Sequence, residues 1–273
     1  MSKFSNKKVL ITGGASGIGR IMGAMALEKG ASTLAIWDIN QENIENTIDE
    51  LSSKGNIVGD CVDISNEEMA IEAAKRLKSK VGEIDILINC AGVITSNKTF
   101  DQYTTTDIRR TMEINSVAPM VVALQFLPDM IARNSGHICN ISSAGGLISN
   151  PRMSIYAASK WAVIGWSDSV RIELEQMKSK VKITTIAPYY IKTGMFDGVK
   201  SPIVPLMKPE YAARQIIRAI ERNRIVKVVT KLIPFPYHFV RFMQGILPIR
   251  LFDWIFGEGF GIYHSMDKFT GRK

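Results

Sequence analysis

A phenol one helical turn ahead of an ammonium is the first place where this sequence could do chemistry. Tyr156 and Lys160 lie four residues apart, so in a helix they share one face. A free phenol ionises near pH ~10 and is a poor base at neutral pH. A neighbouring cation favours the phenolate and brings that value down. Ser143 lies 13 residues earlier, in Asn140-Ile141-Ser142-Ser143-Ala144-Gly145-Gly146. Its hydroxyl can donate to a substrate oxygen on which negative charge develops. Taken alone, Tyr-x-x-x-Lys is common by chance and also describes a pair on a helix surface.

A second constellation sits at the N-terminus. Thr12-Gly13-Gly14-Ala15-Ser16-Gly17-Ile18-Gly19 follows an apolar run and opens a helical pattern. Glycines let a backbone turn sharply and approach a pyrophosphate, and the helix start offers N–H groups to the anion. The same glycines could serve a plain tight turn. Asp38 comes 19 residues after Gly19, near the ~20 expected for a carboxylate gripping a ribose 2′-OH. A carboxylate repels a 2′-phosphate, and neither Ile39 nor Ser16 supplies a cation. The expected cofactor is therefore NAD. Asp38 could instead cap the helix beginning at Gln41. Asp63, followed by Ile64, could reach an adenine or equally cap the turn before Ser65.

These groups need a scaffold that brings them to one edge. Short Val- and Ile-rich runs at Lys8–Thr12, 33–37, 57–62, 85–89, 137–142 and 182–187 read as strands buried on both faces. Helical patterns lie between them at 17–29, 41–53, 66–80, Thr105–Ala132 and 154–177. Alternation of this kind predicts a Rossmann-type, doubly wound parallel sheet, with ligands at the C-terminal ends of its strands. Residues 188–207, with Gly194, Gly198, Pro202 and Pro205, read as a long functional loop. A helix over 209–222 and a last strand over 225–229 follow. The expected organisation is a catalytic domain over 1–230 and an aromatic, basic extension over 231–273.

Composition removes other classes. The net charge of +8 lies wholly in residues 190–273, which hold 14 of 34 basic and 6 of 26 acidic side chains. A general nucleic-acid role is thereby disfavoured. Cys61, Cys90 and Cys139 are too few for a disulfide framework and suit a reducing, cytoplasmic setting. The scattered His137, His238 and His264 predict no metal site. The first strand is reached by Lys8, which leaves no room for a signal peptide or N-terminal anchor.

Taken in order, the landmarks Thr12-Gly13-x-x-x-Gly17-x-Gly19, Asp63, Asn89-Cys90-Ala91-Gly92, Asn115, Ser143, Tyr156-x-x-x-Lys160 and Pro188…Thr193 resemble the short-chain dehydrogenase/reductase family over most of the chain. The resemblance implies that Tyr156 is the general acid/base. Lys160 would lower its pKa and hold the nicotinamide ribose, and Ser143 would orient the substrate oxygen. Asn115 would bend its helix and hold a relay water. Asn89, Ala91 and Gly92 would line the adenosine ribose, and Thr193 the carboxamide. Ser16, Ile18, Ile64, Pro188 and Ile191 complete the implied cofactor set. Cys90 and Tyr189 depart from the usual pattern, and Tyr189 is expected to reshape the nicotinamide pocket. Family members commonly form dimers or tetramers. The stretches 187–196 and 261–269 are similar to the branch that acts on retinoids and hydroxysteroids, which implies a lipophilic alcohol. A non-catalytic nucleotide-sensing or lipid-surface protein on the same fold is the alternative.

Residues 232–263 hold nine of the 22 aromatics (Phe235, Tyr237, Phe239, Phe242, Phe252, Trp254, Phe256, Phe260 and Tyr263). Arg241, Arg250 and Asp253 interrupt the run, so no ~20-residue apolar span exists there. It can be a lid or subunit interface, or a surface resting on anionic lipid.

Overall fold

Seven short strands, β1(Lys8–Thr12), β2(Thr33–Asp38), β3(Ile57–Cys61), β4(Ile86–Asn89), β5(His137–Ile141), β6(Lys182–Pro188) and β7(Val226–Val229), form one parallel sheet in the order β3-β2-β1-β4-β5-β6-β7. The structure is a computed structural model that describes residues 2–199, 201, 205–230, 237–259 and 263–270. The strand order reverses between β1 and β4, which pair in parallel with Thr12 opposite Asn89. A crevice at the C-terminal strand ends belongs to that switch point. The fold is a single-domain Rossmann type, as the sequence predicts.

Alternation along the strands builds two cores. Val9, Ile11, Leu34 and Ile36 pack toward α1(Gly17–Glu28), α2(Gln41–Leu51) and α7(Pro209–Glu221). Leu10, Ala35, Trp37 and Leu87 face the other way, against α3(Glu67–Val81), α5(Ala118–Ala132) and α6(Ser154–Gln176). Asn40 caps α2 by accepting from the Asn43 N–H at 2.8 Å, and Asn66 caps α3 by accepting from Met69 at 3.0 Å. Asp38 is therefore not the α2 cap.

The single helix expected over Thr105–Ala132 is interrupted. α4(Thr105–Met112) runs into a π-type turn, Glu113–Val117, before α5 begins. That whole stretch is long and apolar enough to cross a membrane by composition. Here it lies against α3 and α6 inside the domain.

The tail folds back onto the domain rather than extending from it. α8(Tyr237–Ile246) and α9(Ile249–Phe252) lead into a second π-type turn, Asp253–Gly259. Met243, Leu247, Phe252 and Ile255 pack on Leu147, Ile164, Ala187 and Val226. The expected boundary at 230/231 adjoins residues outside those described. Pro202, Phe235, Phe260 and residues 261–262 also lie outside them.

Candidate active site

The strand ends and the loops that follow them enclose a cleft of about 750 Å³. Its walls include Gly13, Ser16, Gly17, Ile18 and Gly19 from the first turn, and Asp38, Asp63 and Ile64 from the ends of β2 and β3. Ala91, Gly92, Ser143, Tyr156, Lys160, Pro188, Ile191 and Thr193 line the remainder. One groove thus gathers nearly every residue singled out in the sequence.

The glycine turn is shaped for a ligand that needs bare backbone. Gly13 holds φ +65°, and a Cβ there would stand 2.9 Å from the Ala91 Cα. Any side chain would close the gap between the β1 and β4 ends. Thr12, which opens the glycine motif and has no predicted role of its own, fixes that gap. Its hydroxyl accepts from the backbone N–H groups of Cys90 at 3.1 Å and Ala91 at 3.3 Å. Asp38 braces the turn by accepting from the Ala15 N–H at 3.1 Å, while its other oxygen accepts from Ile39 at 2.9 Å. Asp63 accepts from both the N–H and the hydroxyl of Ser65, at 2.9 and 2.6 Å. It is thus a turn-former that also lines the cleft. The donor set fits a dinucleotide: backbone N–H groups at a helix start for the pyrophosphate, and a carboxylate at the β2 end for a ribose.

Ser143, Tyr156 and Lys160 meet at the other end. Ser143 ends the β5 region, and its Oγ accepts from the Gly145 N–H at 3.1 Å. Tyr156 and Lys160 come from the first turns of α6, with the Lys160 Nζ 5.7 Å from the Tyr156 ring centre. Lys160 donates to the Ile141 carbonyl at 3.0 Å, and burial brings its ammonium down to about 8. Burial pushes the Tyr156 phenol up to about 12, while a hydrogen bond with Ser143 pulls the other way. The lowered phenol expected from the Tyr156–Lys160 spacing is thus not a property of the protein by itself. Desolvation dominates the phenol, with only the Ser143 hydrogen bond opposing it, and the ammonium is aimed at a backbone carbonyl. Cys90 also lines the cleft, but burial raises its thiol to about 12, so it stays protonated.

Asn115 explains the break after α4. Its Oδ1 accepts from the Val93 N–H at 2.8 Å, and its Nδ2 donates to the Val93 carbonyl at 2.9 Å and to Ser159 Oγ at 3.2 Å. The π-type turn directs this amide out of the helix to hold the loop after β4. Asn89 is placed otherwise than its motif implies. It is not part of the cleft wall, and its Nδ2 donates to Asn140 Oδ1 at 2.9 Å and to the Pro119 carbonyl at 3.3 Å. It ties β4 to β5 and α5 beneath the floor of the cleft. Tyr189 likewise turns away. Its ring packs edge-on against Tyr190 at 4.7 Å, and its hydroxyl meets Ser201 Oγ at 2.8 Å. It packs within the loop and is not among the residues that line the cleft.

Further walls come from residues that had no individual place in the cleft on sequence grounds. Val93, Ile94, Met195 and Phe196 form an apolar end, joined by Phe269 and Thr270 from the tail. That tail is tied to the loop 188–207 and to the segment after β4. Ser265 Oγ meets the Tyr190 hydroxyl at 2.8 Å, Asn97 donates to the Met266 carbonyl at 2.8 Å, and Thr270 N–H donates to the Asp197 carbonyl at 2.9 Å.

Fold and cleft together define an oxidoreductase of Rossmann type acting on alcohol groups. The short chain dehydrogenase family matches residues 7–203. Epidermal retinol dehydrogenase 2 of Mus musculus is 36% identical over 97% of this chain and 85% of its own length. Estradiol 17-beta-dehydrogenase 11 of Pongo abelii is 34% identical over 89% of this chain and 79% of its own. A solved short chain dehydrogenase/reductase from Burkholderia phymatum, in complex with NAD, superposes with a TM-score of 0.76 at 24% identity, over 84% of this chain and 90% of that one. The chain belongs to the short chain dehydrogenase family.

Proposed function

We propose that this enzyme interconverts a lipophilic alcohol and its ketone or aldehyde with NAD as the redox partner. The observation that carries the reading is the meeting of Ser143, Tyr156 and Lys160 beside an apolar wall in the same cleft as the glycine turn. The branch names support the substrate class: a retinol and an estradiol dehydrogenase are both among the similar proteins. Asp38 supports NAD over NADP, because its carboxylate would face a 2′-phosphate without a nearby cation to offset it.

The chain's own groups divide the work. Gly13, Ser16, Gly17, Ile18 and Gly19 hold the pyrophosphate, and Asp38 the adenosine ribose. Ile64, Ala91, Gly92, Pro188, Ile191 and Thr193 enclose the remainder. When bound, NAD supplies the hydride acceptor and a positively charged ring. Tyr156 takes the proton from the substrate hydroxyl, and returns one in the reverse direction. Ser143 steadies the substrate oxygen as its charge changes. Lys160 adds positive charge beside the phenol, which otherwise lies too high to act near neutrality. Asn115 is a positioning residue, since its amide fixes the loop at Val93. The exposed Leu124, Trp161 and Ile172 on α5 and α6 support a homo-oligomer paired through those helices.

An absorbance screen for NADH across retinol, hydroxysteroids, long-chain alcohols and small sugars tests the substrate class. Turnover of the apolar alcohols is expected; turnover of small polar sugars alone would overturn it.

A further inference from the structure

The helix that carries Tyr156 and Lys160 begins without a side-chain cap. Met153 stands at its N-cap position and makes no side-chain hydrogen bond to the first turn. The first N–H groups of a helix have no partner inside it, and Tyr156 belongs to that turn. Its placement therefore depends on the loop that leads into the helix. That loop, 147–153, is strained. Arg152 holds φ +65°, a left-handed conformation that a residue with a side chain keeps only where its surroundings impose it. Two tyrosine hydroxyls hold the loop in this shape. Tyr103 shares its hydrogen between the carbonyls of Arg152, at 3.0 Å, and Ser96, at 3.1 Å. Tyr190 accepts from the Asn150 Nδ2 at 2.8 Å. The Asn150 carbonyl in turn accepts from the Met153 N–H at 3.3 Å, so Tyr190 lies two hydrogen bonds from the cap position.

The other partner of that phenol is on the tail. Tyr190, Asn150 and Ser265 are all buried. Having accepted from Asn150, the phenol has one hydrogen to place, and Ser265 Oγ stands 2.8 Å away. Burial pushes the phenol well above its usual range, so the hydrogen stays in place at neutral pH. The ring is fixed as well, edge-on to Tyr189 at 4.7 Å and to Phe196 at 5.1 Å. One hydroxyl thus joins the loop that starts α6, the loop after β6 and the tail. The tail reaches the cleft wall a few residues on, at Phe269. We infer that Tyr190 is a positioning residue for the reaction: its hydroxyl seats the start of α6, and with it Tyr156, against the C-terminal tail. The tail is then part of the mounting of the proton-transfer group as well as a wall of the cleft. Hydrogen bonds in a buried chain strengthen one another, so a loss at the tail end is felt at the helix end. The consequence for turnover rests on the reading of Tyr156 as the proton-transfer group; the seating itself does not.

Hydrogen exchange of the full chain, followed by mass spectrometry, reads the seating without any turnover. Tyr190→Phe keeps the ring and removes the hydroxyl. Exchange of the amides at 153–157 and at 263–268 should quicken by about tenfold, the worth of one hydrogen bond. Ser265→Ala touches neither α6 nor the loop before it, yet exchange at 153–157 should quicken by about threefold. The same variants read the consequence for the reaction. With NAD and any alcohol the parent oxidises, kcat should fall by about tenfold in Tyr190→Phe and about threefold in Ser265→Ala. A contact that only stabilises the fold would lower the thermal midpoint and leave kcat as it is. The inference is overturned if exchange at 153–157 matches the parent in either variant, if Ser265→Ala quickens 263–268 alone, or if both variants keep the parent's kcat. A parent that oxidises no alcohol would refute the catalytic reading instead, and the exchange pattern would then decide the seating by itself.

Discussion

Gly198→Ala should open the substrate end of the cleft without touching the cofactor end. Gly198 holds φ +81°, and a Cβ there would stand 2.0 Å from the Lys268 carbonyl oxygen and 3.0 Å from the Thr270 nitrogen. Both neighbours are backbone, so the 263–270 segment must shift. The left-handed conformation costs an alanine about 1–2 kcal/mol. Loss of the Thr270–Asp197 hydrogen bond, 2.9 Å in the parent, adds about 0.5–1.5 kcal/mol. Their sum, about 3.5 kcal/mol at most, is an upper bound on the effect. The Ser265–Tyr190 and Asn97–Met266 hydrogen bonds still hold the near end of the tail. Phe269 and Thr270 leave the cleft wall, so KM for a long apolar alcohol should rise about tenfold, equivalent to about 1.4 kcal/mol. Global unfolding should shift little, since the opening is local. Steady-state kinetics reads the KM, and stabilisation by NAD in a thermal melt should match the parent. An unchanged KM would refute the view that the tail closes the substrate end. Loss of the NAD response would show that the damage had spread to the cofactor turn.

Asp38→Asn keeps a side-chain oxygen for the Ala15 N–H but removes the charge. The preference for NAD over NADP should narrow by about tenfold, read as the two cofactors' thermal shifts; an unchanged ratio would mean that Asp38 does not set it. Stability should also respond to alkaline pH in two opposite steps. Lys160 binds its proton less well folded, about 8 against an ordinary value near 10.5. The unfolded chain therefore holds more protons between those values, and stability rises with pH across that window. Tyr156, raised from near 10 to about 12, keeps its proton longer when folded, so its contribution falls from about pH 10 upward. Denaturant melts of the parent and Lys160→Met at pH ~7.5 and ~9.5 check the first step. The rise should be confined to the parent, and a rise of equal size in the variant would remove Lys160 as its source.

The sheet was legible because strands buried on both faces leave unmistakable apolar runs. The predicted ranges end within a residue or so of the observed strands. The gathering of Gly13, Asp38, Ser143, Tyr156 and Lys160 was legible too, because parallel topology puts all strand ends at one edge. Side-chain direction was less so. Asn89 shares a motif with Ala91 and Gly92, but strand alternation turns its amide beneath the cleft, toward Asn140. The π-type turn at Asn115 leaves no mark in composition, since its cause is a hydrogen-bond pair with Val93 far along the chain. Phe269 and Thr270 could not be placed in the cleft from sequence, because the contacts that bring them there, at Asn97, Tyr190 and Asp197, are all long-range.

The central claim is that Tyr156 moves the substrate's proton. Single-turnover formation of NADH by Tyr156→Phe, with any alcohol the parent oxidises, tests it most directly. The ring and its packing are kept and only the hydroxyl is lost. The rate should fall by roughly 10²–10⁴, while stabilisation by NAD stays near that of the parent. A variant that forms NADH at close to the parent's rate would contradict the account.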